Sequence, residues 1–542
     1  MSRLRQQVAW TAVVSLSLAA LASWPARGAS PAKVITKAKP AEKAKAKAMP
    51  APPEPAKIPP PPSAPAGRVV TPPTLTPEEI DTLLERILTR EKAEIAPLTT
   101  DVEFVRRVFL DVTGTLPSPK EVVGFVRSRD RDKRVKLIDY LLDSSNYARN
   151  WAHYWRDVIE FRATSENPGN LDDLENWFAT RFEQNVGWDL MARELITATR
   201  NDRSSAASAF ARVHDNQPVE LAGEVSRVFL GVQIQCAQCH DHPSDSWTRL
   251  QFHEFAAFFA ERGRYMMPDK ADPARSISIA PKFFLGEKAE PLPMDVPPTF
   301  RRARGADFVT SVDNPWFARA FVNRLWFALM GEGFYAPVDD MGPGRTAKAP
   351  QVLEPLAAQW AKGGYDIKWL FRTLLNTRAY QREVRSTYSA SGRTTFAANT
   401  SSRLRADQIT VALNQTLGLQ TKPERSTGAF GPLTKLFAVD PSTPPDDVLG
   451  TIPQALFMMN SPQIHSAISG ENSRGLLGRI LESASDNRAA LDALYLTVLS
   501  RTPTRAEVQA CARYLEHSSN RQEAFEDILW ALINSTEFVS RR

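Results

Sequence analysis

The chain has 542 residues, 43% hydrophobic content and a formal charge of +6, enough to bury more than one core, since single cores stop growing at roughly 250–300 residues. Residues 29–70 hold eight Lys and Arg against two Glu and account for that charge by themselves, so the rest of the chain lacks the basic groove that nucleic-acid binding requires. Three cysteines are too few, and odd in number, for a fold stapled by disulfides.

At the start, Arg3 and Arg5 precede an apolar run from Val8 to about Trp24, and Ala26-Arg27-Gly28 places small residues where a signal peptidase cuts. This predicts a signal peptide over 1–28 and a protein exported to the periplasm or cell surface. Left uncleaved, the run stands at the short limit for a membrane anchor. No later stretch is long and apolar enough to span, so no transmembrane segment is expected once the signal is removed. Residues 29–75 are rich in Ala, Lys and Pro, a composition that buries no core and favours extended geometry. A disordered tether is expected, with its lysines either solvated or in contact with anionic envelope polymers.

Thr76-Pro77-Glu78-Glu79 carries a capping box ahead of Ile80, Leu83, Leu84 and Ile87, and Ser118-Pro119-Lys120-Glu121 repeats that signal before Val122 and Phe125. Helical spacing continues through the body, with short strand candidates such as 276–280. The expected class is mainly α, a multi-helix protein of two to three domains. Residues 76–265 read as an N-terminal helical domain, 266–312 as a connecting segment with scattered Pro and Gly, and 313–542 as a C-terminal helical domain. A second Pro-rich stretch covers 422–450.

One unit recurs. Leu141-Leu142-Asp143-Ser144 with Tyr147, Leu374-Leu375-Asn376-Thr377 with Tyr380, and Leu532-Ile533-Asn534-Ser535 with Phe538 each place an aromatic behind a polar helix stop. Pro117-Ser118-Pro119-Lys120-Glu121-Val122 and Pro503-Thr504-Arg505-Ala506-Glu507-Val508 match at nearly the separation of the first and last of these, which predicts one helical hairpin used at both ends of the body. Shared capping chemistry arising twice is the alternative.

The sharpest chemical feature is Cys236-Ala237-Gln238-Cys239-His240. Two thiols so spaced reach the two vinyl groups on one edge of a porphyrin, and a histidine directly after the second sets imidazole under the iron, so Cys236, Cys239 and His240 are candidates for covalent haem c. The apolar spacing of Val219 to Val232 delivers them from a helix end. A zinc site would instead recruit Cys236, Cys239, His240 or His242, with His253 or His214. A thioredoxin-like dithiol would need no His240. For the far side of an iron, Met266, Met267, His253 and His153 are candidates, and an open position would leave room for a small ligand. Cys511 reads as a small buried hydrophobe.

Two further polar groups stand out. His153 and Asp157 are four apart on a predicted helix, so one is placed to orient the other. Arg324 sits in an apolar helix, and an ion pair with Asp340 is the plain expectation, with Asp339 and Asp340 as an alternative cation or substrate site. No Walker loop, dinucleotide fingerprint, HExxH or nucleophile elbow occurs.

Longer motifs carry a resemblance. Phe104-Val105-Arg106-Arg107, Trp151-Ala152-His153-Tyr154-Trp155-Arg156-Asp157 and Phe229-Leu230-Gly231 through Cys239-His240-Asp241-His242-Pro243 to Trp247 resemble the planctomycete cytochrome-c-like exported paralogues. Asn314-Pro315-Trp316-Phe317, Val322-Asn323-Arg324-Leu325-Trp326, Pro337-Val338-Asp339-Asp340 and Gln454-Ala455-Leu456-Phe457-Met458-Met459-Asn460-Ser461-Pro462 continue it to the end of the chain. The resemblance implies a PSCyt-type domain followed by a PSD-type domain, both of unknown function. Where members often carry a separate cytochrome c domain, this chain has its tether, so the internal CxxCH is the haem candidate.

Three readings stand. The first is an envelope redox protein that carries haem c and docks an unidentified redox or surface partner. The second is a zinc-stabilised cell-surface scaffold, and the third a hydrolase of envelope polymer working through His153 and Asp157 or Asp339 and Asp340.

Overall fold

The computed structural model describes residues 70–165, 171–202, 205–272, 274–285, 290–385, 396–418, 431–469 and 475–542. The expected signal peptide and most of the expected tether fall in residues 1–69, outside the described residues. The body is mainly helical. Its first half runs α1 (Pro77–Arg90), α2 (Asp101–Thr113), α3 (Pro119–Arg127), α4 (Lys133–Leu142), α5 (Ser145–Glu160), α6 (Asp172–Glu183), α7 (Trp188–Thr197), α8 (Pro218–Val225) and α9 (Arg249–Ala256). An antiparallel hairpin of β1 (Tyr265–Pro268) and β2 (Ser276–Ile279) follows, in which Tyr265 faces Ile279. Then come α10 (Pro298–Thr310), α11 (Pro315–Met330), α12 (Pro350–Lys362), α13 (Ile367–Leu375) and α14 (Arg378–Gln381). The last part holds β3 (Ser402–Arg403), α15 (Ala406–Leu417), α16 (Gly431–Phe437), α17 (Ile452–Asn460), α18 (Pro462–Ile468), α19 (Leu476–Ser483), α20 (Asn487–Leu499), α21 (Arg505–His517), α22 (Arg521–Ile533) and β4 (Ser540–Arg541). No helix among the described residues is long and apolar enough to cross a membrane.

The boxes expected at Thr76 and Ser118 both close: each hydroxyl accepts the amide three residues on, and the glutamate there returns to the cap amide. Thr504 and Glu507 form a third, so the two matched sequence stretches share their local geometry. In each, a 13-residue helix, α2 or α20, ends on a left-handed residue, Gly114 at φ 67° or Ser500 at φ 60°. The capping box then opens α3 or α21.

All three polar stops fold alike. Ser144, Thr377 and Ser535 donate their hydroxyls to Leu141, Leu374 and Leu532 carbonyls at 2.7, 2.7 and 2.6 Å. The same oxygens accept the amides of Tyr147, Tyr380 and Phe538 at 3.3, 3.2 and 3.2 Å. One hydroxyl thus closes a helix end and opens the next turn, and the aromatic is fully buried behind it. Thr377→Ala is expected to lower stability by about 1 kcal/mol and Thr377→Ser to restore most of it, measured as shifts in urea midpoint.

The apolar core is continuous from Ile80 to Ala397. It includes Ile279, Phe283 and Phe284 as well as Ala306 and Val309 of α10, so these parts of 266–312 pack into the same core. The change of packing falls near residue 400, where a second cluster from Leu404 to Phe538 begins, with Leu110 and Leu116 of the first half among its members. Two adjacent arginines of α2 join the parts. Arg107 donates to the Tyr380, Arg382 and Arg542 carbonyls at 2.8, 2.8 and 3.0 Å. Arg106 reaches the Glu537 and Phe538 carbonyls at 3.2 and 3.1 Å. A buried guanidinium needs acceptors, and these are supplied by the chain reversals after α13 and α22.

Candidate functional site

The expected helix over 219–232 forms as α8, widens into a π-type turn at Ser226–Leu230 and stops at Gly231, whose φ is 64°. The stop suits glycine twice over, because an added Cβ would also lie 2.8 Å from Met341 Cε. The Gly231 carbonyl accepts the Met341 amide at 2.7 Å. Arg227, Gln233 and Arg324 then converge on Asp339, at 3.2, 2.8 and 3.6 Å. Burial raises the Asp339 carboxyl, but Arg324, Arg227 and the Gln233 hydrogen bond outweigh it and hold it below the ordinary carboxylate range. Arg227 is shared with Glu224 at 2.6 Å and the Val158 carbonyl at 2.6 Å. A little further along, an added Cβ at Gly342 would meet Asp245 Oδ2, so the 339–344 backbone lies directly on the foot of the CxxCH loop.

This corrects the expected partner of Arg324. The ion pair is with Asp339, while Asp340, one residue on and only partly buried, pairs with Arg345 at 2.5 Å. Only one of two adjacent carboxylates can face the core, and the inward one is Asp339, 1% exposed. The same correction applies to His153. Its Nδ1 lies 3.0 Å from Glu175 on α6, and Arg156 pairs with the same carboxylate. Asp157 instead stands 3.7 Å from Arg156. His153 and Asp157 therefore do not form the expected pair, and neither lies on the CxxCH segment.

Cys236 stands on a 3-10 turn, Gln235–Gln238, and Cys239 directly follows it, with both thiols free and exposed. Ala237 between them is fully buried and anchors the turn. His253 of α9, 3% exposed, braces it from below. Its Nε2 donates to the Gln238 carbonyl at 3.0 Å and its Nδ1 accepts the Tyr265 hydroxyl at 2.7 Å. Because a carbonyl only accepts, Nε2 carries the hydrogen, and burial lowers the pKa of the ring so that it stays neutral. Both nitrogens are committed, and His253 is a strut of the turn rather than an axial ligand. Its contact with Tyr265 was not legible in the sequence, where the two residues show no shared pattern.

His240 is exposed, and its Nδ1 lies 2.7 Å from the Asp241 carbonyl. By the same reasoning Nδ1 carries the hydrogen and Nε2 holds the lone pair, the tautomer in which an imidazole binds a metal through Nε2. His242 has the opposite arrangement: its Nδ1 accepts the Ser244 amide at 3.3 Å, which leaves the hydrogen on Nε2. Among the described residues no group of three or more His, Cys, Asp or Glu is placed to hold a metal ion, so the two cysteines, His240 and His242 are not drawn into the set a structural zinc needs.

Arg249, at the start of α9, ties the surroundings together. Its amide donates to Asp241 Oδ1 at 2.8 Å and its guanidinium to the Pro268 carbonyl at 2.7 Å. The loop after His240 and strand β1 are thus fastened to one residue. On β1 the two methionines alternate: Met267 is buried and Met266 is 49% exposed. Cys511 lies on α21 with its thiol 4.0 Å from the Tyr495 hydroxyl, and burial pushes its pKa up.

Fold and site together define a helical protein that presents an exposed CxxCH turn, with the Asp339–Gly344 segment against the base of that turn. Residues 79–263 match the family model PSCyt2, a protein of unknown function (DUF1549), and residues 301–436 match PSD1, a protein of unknown function (DUF1553). The chain belongs to the proteins that carry these two domains in that order. No curated protein and no solved structure matches it.

Proposed function

We propose that the chain is an exported cell-envelope protein that carries haem c on Cys236 and Cys239, with His240 as iron ligand, and exchanges electrons with a partner at the cell envelope. The observation that carries this reading is the state of His240: its Nδ1 is committed to the Asp241 carbonyl at 2.7 Å, which leaves Nε2 available. The thiols support it as well, being free, exposed and three residues apart on a turn fixed by Ala237 and His253. Each thioether would form by addition of S–H across a vinyl group, a step that needs no oxidant. Haem would supply one-electron exchange. The chain's own residues orient the turn, through His253 and Tyr265, and leave apolar side chains exposed on the flanking elements, Leu250 of α9 and Met266 of β1, each 49% exposed. Of the candidates for a second iron ligand, Met266 is the exposed one, whereas Met267 is buried and His253 and His153 contact Gln238 and Glu175.

The reading is tested on protein expressed in a host with a periplasmic haem-attachment system. A reduced-form α band and a haem stain that survives denaturation are expected, both lost in Cys236→Ala/Cys239→Ala. His240→Ala is expected to keep the stain but change the spectrum. A colourless, correctly folded protein from that host refutes the reading.

A further inference from the structure

Away from the CxxCH turn, a cavity of about 140 Å³ opens between α5, the stretch Ser402–Gln408 and the stretch from Thr434 to Val448. At about 10–15 Å³ per water this holds on the order of ten waters, space comparable to one sugar ring with its hydroxyls. Its walls balance in charge, with four arginines and four aspartates. Most of these are matched in place: Arg405 with Asp407 at 2.9 Å, Arg541 with Asp111 at 2.6 Å, and Asp440 with Arg162 at 3.1 Å. Asp407 is held down to about 2: burial raises it, but Arg405, His153 and Arg156 outweigh that, so it stands as a permanent acceptor. Aromatic rings complete the lining, Trp151 and Tyr154 from α5 and Phe437 from α16.

One polar group on this wall has no hydrogen-bond partner: Trp151 Nε1 is buried without one, while the Tyr154 hydroxyl lies beside the Arg324 guanidinium. Buried donors are normally satisfied, and an orphan calls for water or a ligand. An anion entering the cavity would meet the aspartates and a cation the arginines, so neither gains from the walls as a whole. A neutral molecule that offers donors and acceptors on its edge and C–H groups on its faces suits the mixture of carboxylates, guanidinium groups and aromatic rings.

We propose that this cavity is a binding site for a neutral saccharide, one ring of which lies against Trp151 and Tyr154 with its hydroxyls toward Asp157, Asp407 and Arg405. The site is independent of the haem reading and stands or falls without it. The test is saturation-transfer difference NMR on the full chain, with glucose, galactose, mannose and N-acetylglucosamine as probes and inorganic phosphate as the charged competitor. Ring protons of at least one sugar should show saturable transfer that phosphate does not displace. Tyr154→Phe removes one hydroxyl from the wall and keeps the ring, so sugar affinity should weaken by about tenfold. Absence of saturable transfer from all four sugars overturns the proposal, as does displacement by phosphate or an unchanged affinity in a folded Tyr154→Phe.

Discussion

Asp339→Ala is expected to destabilise the protein by about 3–5 kcal/mol, the usual consequence of removing one member of a buried charge cluster. Arg227 and Arg324 would remain buried, 6% and 2% exposed, with their shared carboxylate gone. The Gln233 amide would lose its acceptor at the point where the chain enters the CxxCH turn. Asp340→Ala, one residue on, breaks only a partly exposed pair with Arg345 and should cost less than about 1 kcal/mol. Urea midpoints of the two variants therefore separate the pairing seen in the fold from the one expected from sequence, since Asp340 would be the sensitive position if it were the partner of Arg324. The pH dependence follows from the direction of the Asp339 shift. Its folded pKa is depressed, so its contribution is fully present above the ordinary carboxylate value and is lost as pH falls through the folded one. The difference between wild type and Asp339→Asn should accordingly shrink as unfolding is followed into acid.

Asp111→Ala should have an effect of similar size, about 3–5 kcal/mol. Asp111 accepts the Tyr380 hydroxyl at 2.7 Å on one oxygen and faces Arg541 Nε at 2.6 Å on the other. It thereby fastens the hinge after α13 and strand β4 to α2. Arg541 would keep the Thr400 and Leu329 carbonyls but lose the Asp111 carboxylate. Tyr380→Phe should cost only about 1 kcal/mol, because Asp111 retains Arg541. Hydrogen exchange resolves where the loss acts: in Asp111→Ala, amides of β4 and α22 should lose protection before those of α5. Uniform loss across the body would show that α2 does not connect the parts in this way.

What could be read from the sequence was what local chemistry decides. The capping boxes at Thr76 and Ser118 need residues only three apart, and the recurrent stops at Ser144, Thr377 and Ser535 use a hydroxyl on its own neighbours. Both survive in the fold because no distant partner is involved. The CxxCH segment was legible for the same reason, yet the identity of its strut was not: His253 and Tyr265 meet only because α9 and β1 both reach the turn. Asp339 and Asp340 are equivalent in sequence, and which one faces inward depends on the path of the backbone after Val338. His153 was paired with Asp157 by helical spacing, but Glu175 on the adjacent helix offered a carboxylate to both His153 and Arg156. Scattered Pro and Gly in 266–312 gave no sign of α10, which buries Ala306 and Val309 in the common core.

The most direct test of the haem assignment is mass analysis of the peptide that spans Cys236 to His240, taken from protein matured in a haem-attaching host. A single peptide heavier by one haem, with neither Cys236 nor Cys239 open to alkylation, is the predicted result. An unmodified peptide with both thiols alkylated would contradict the account.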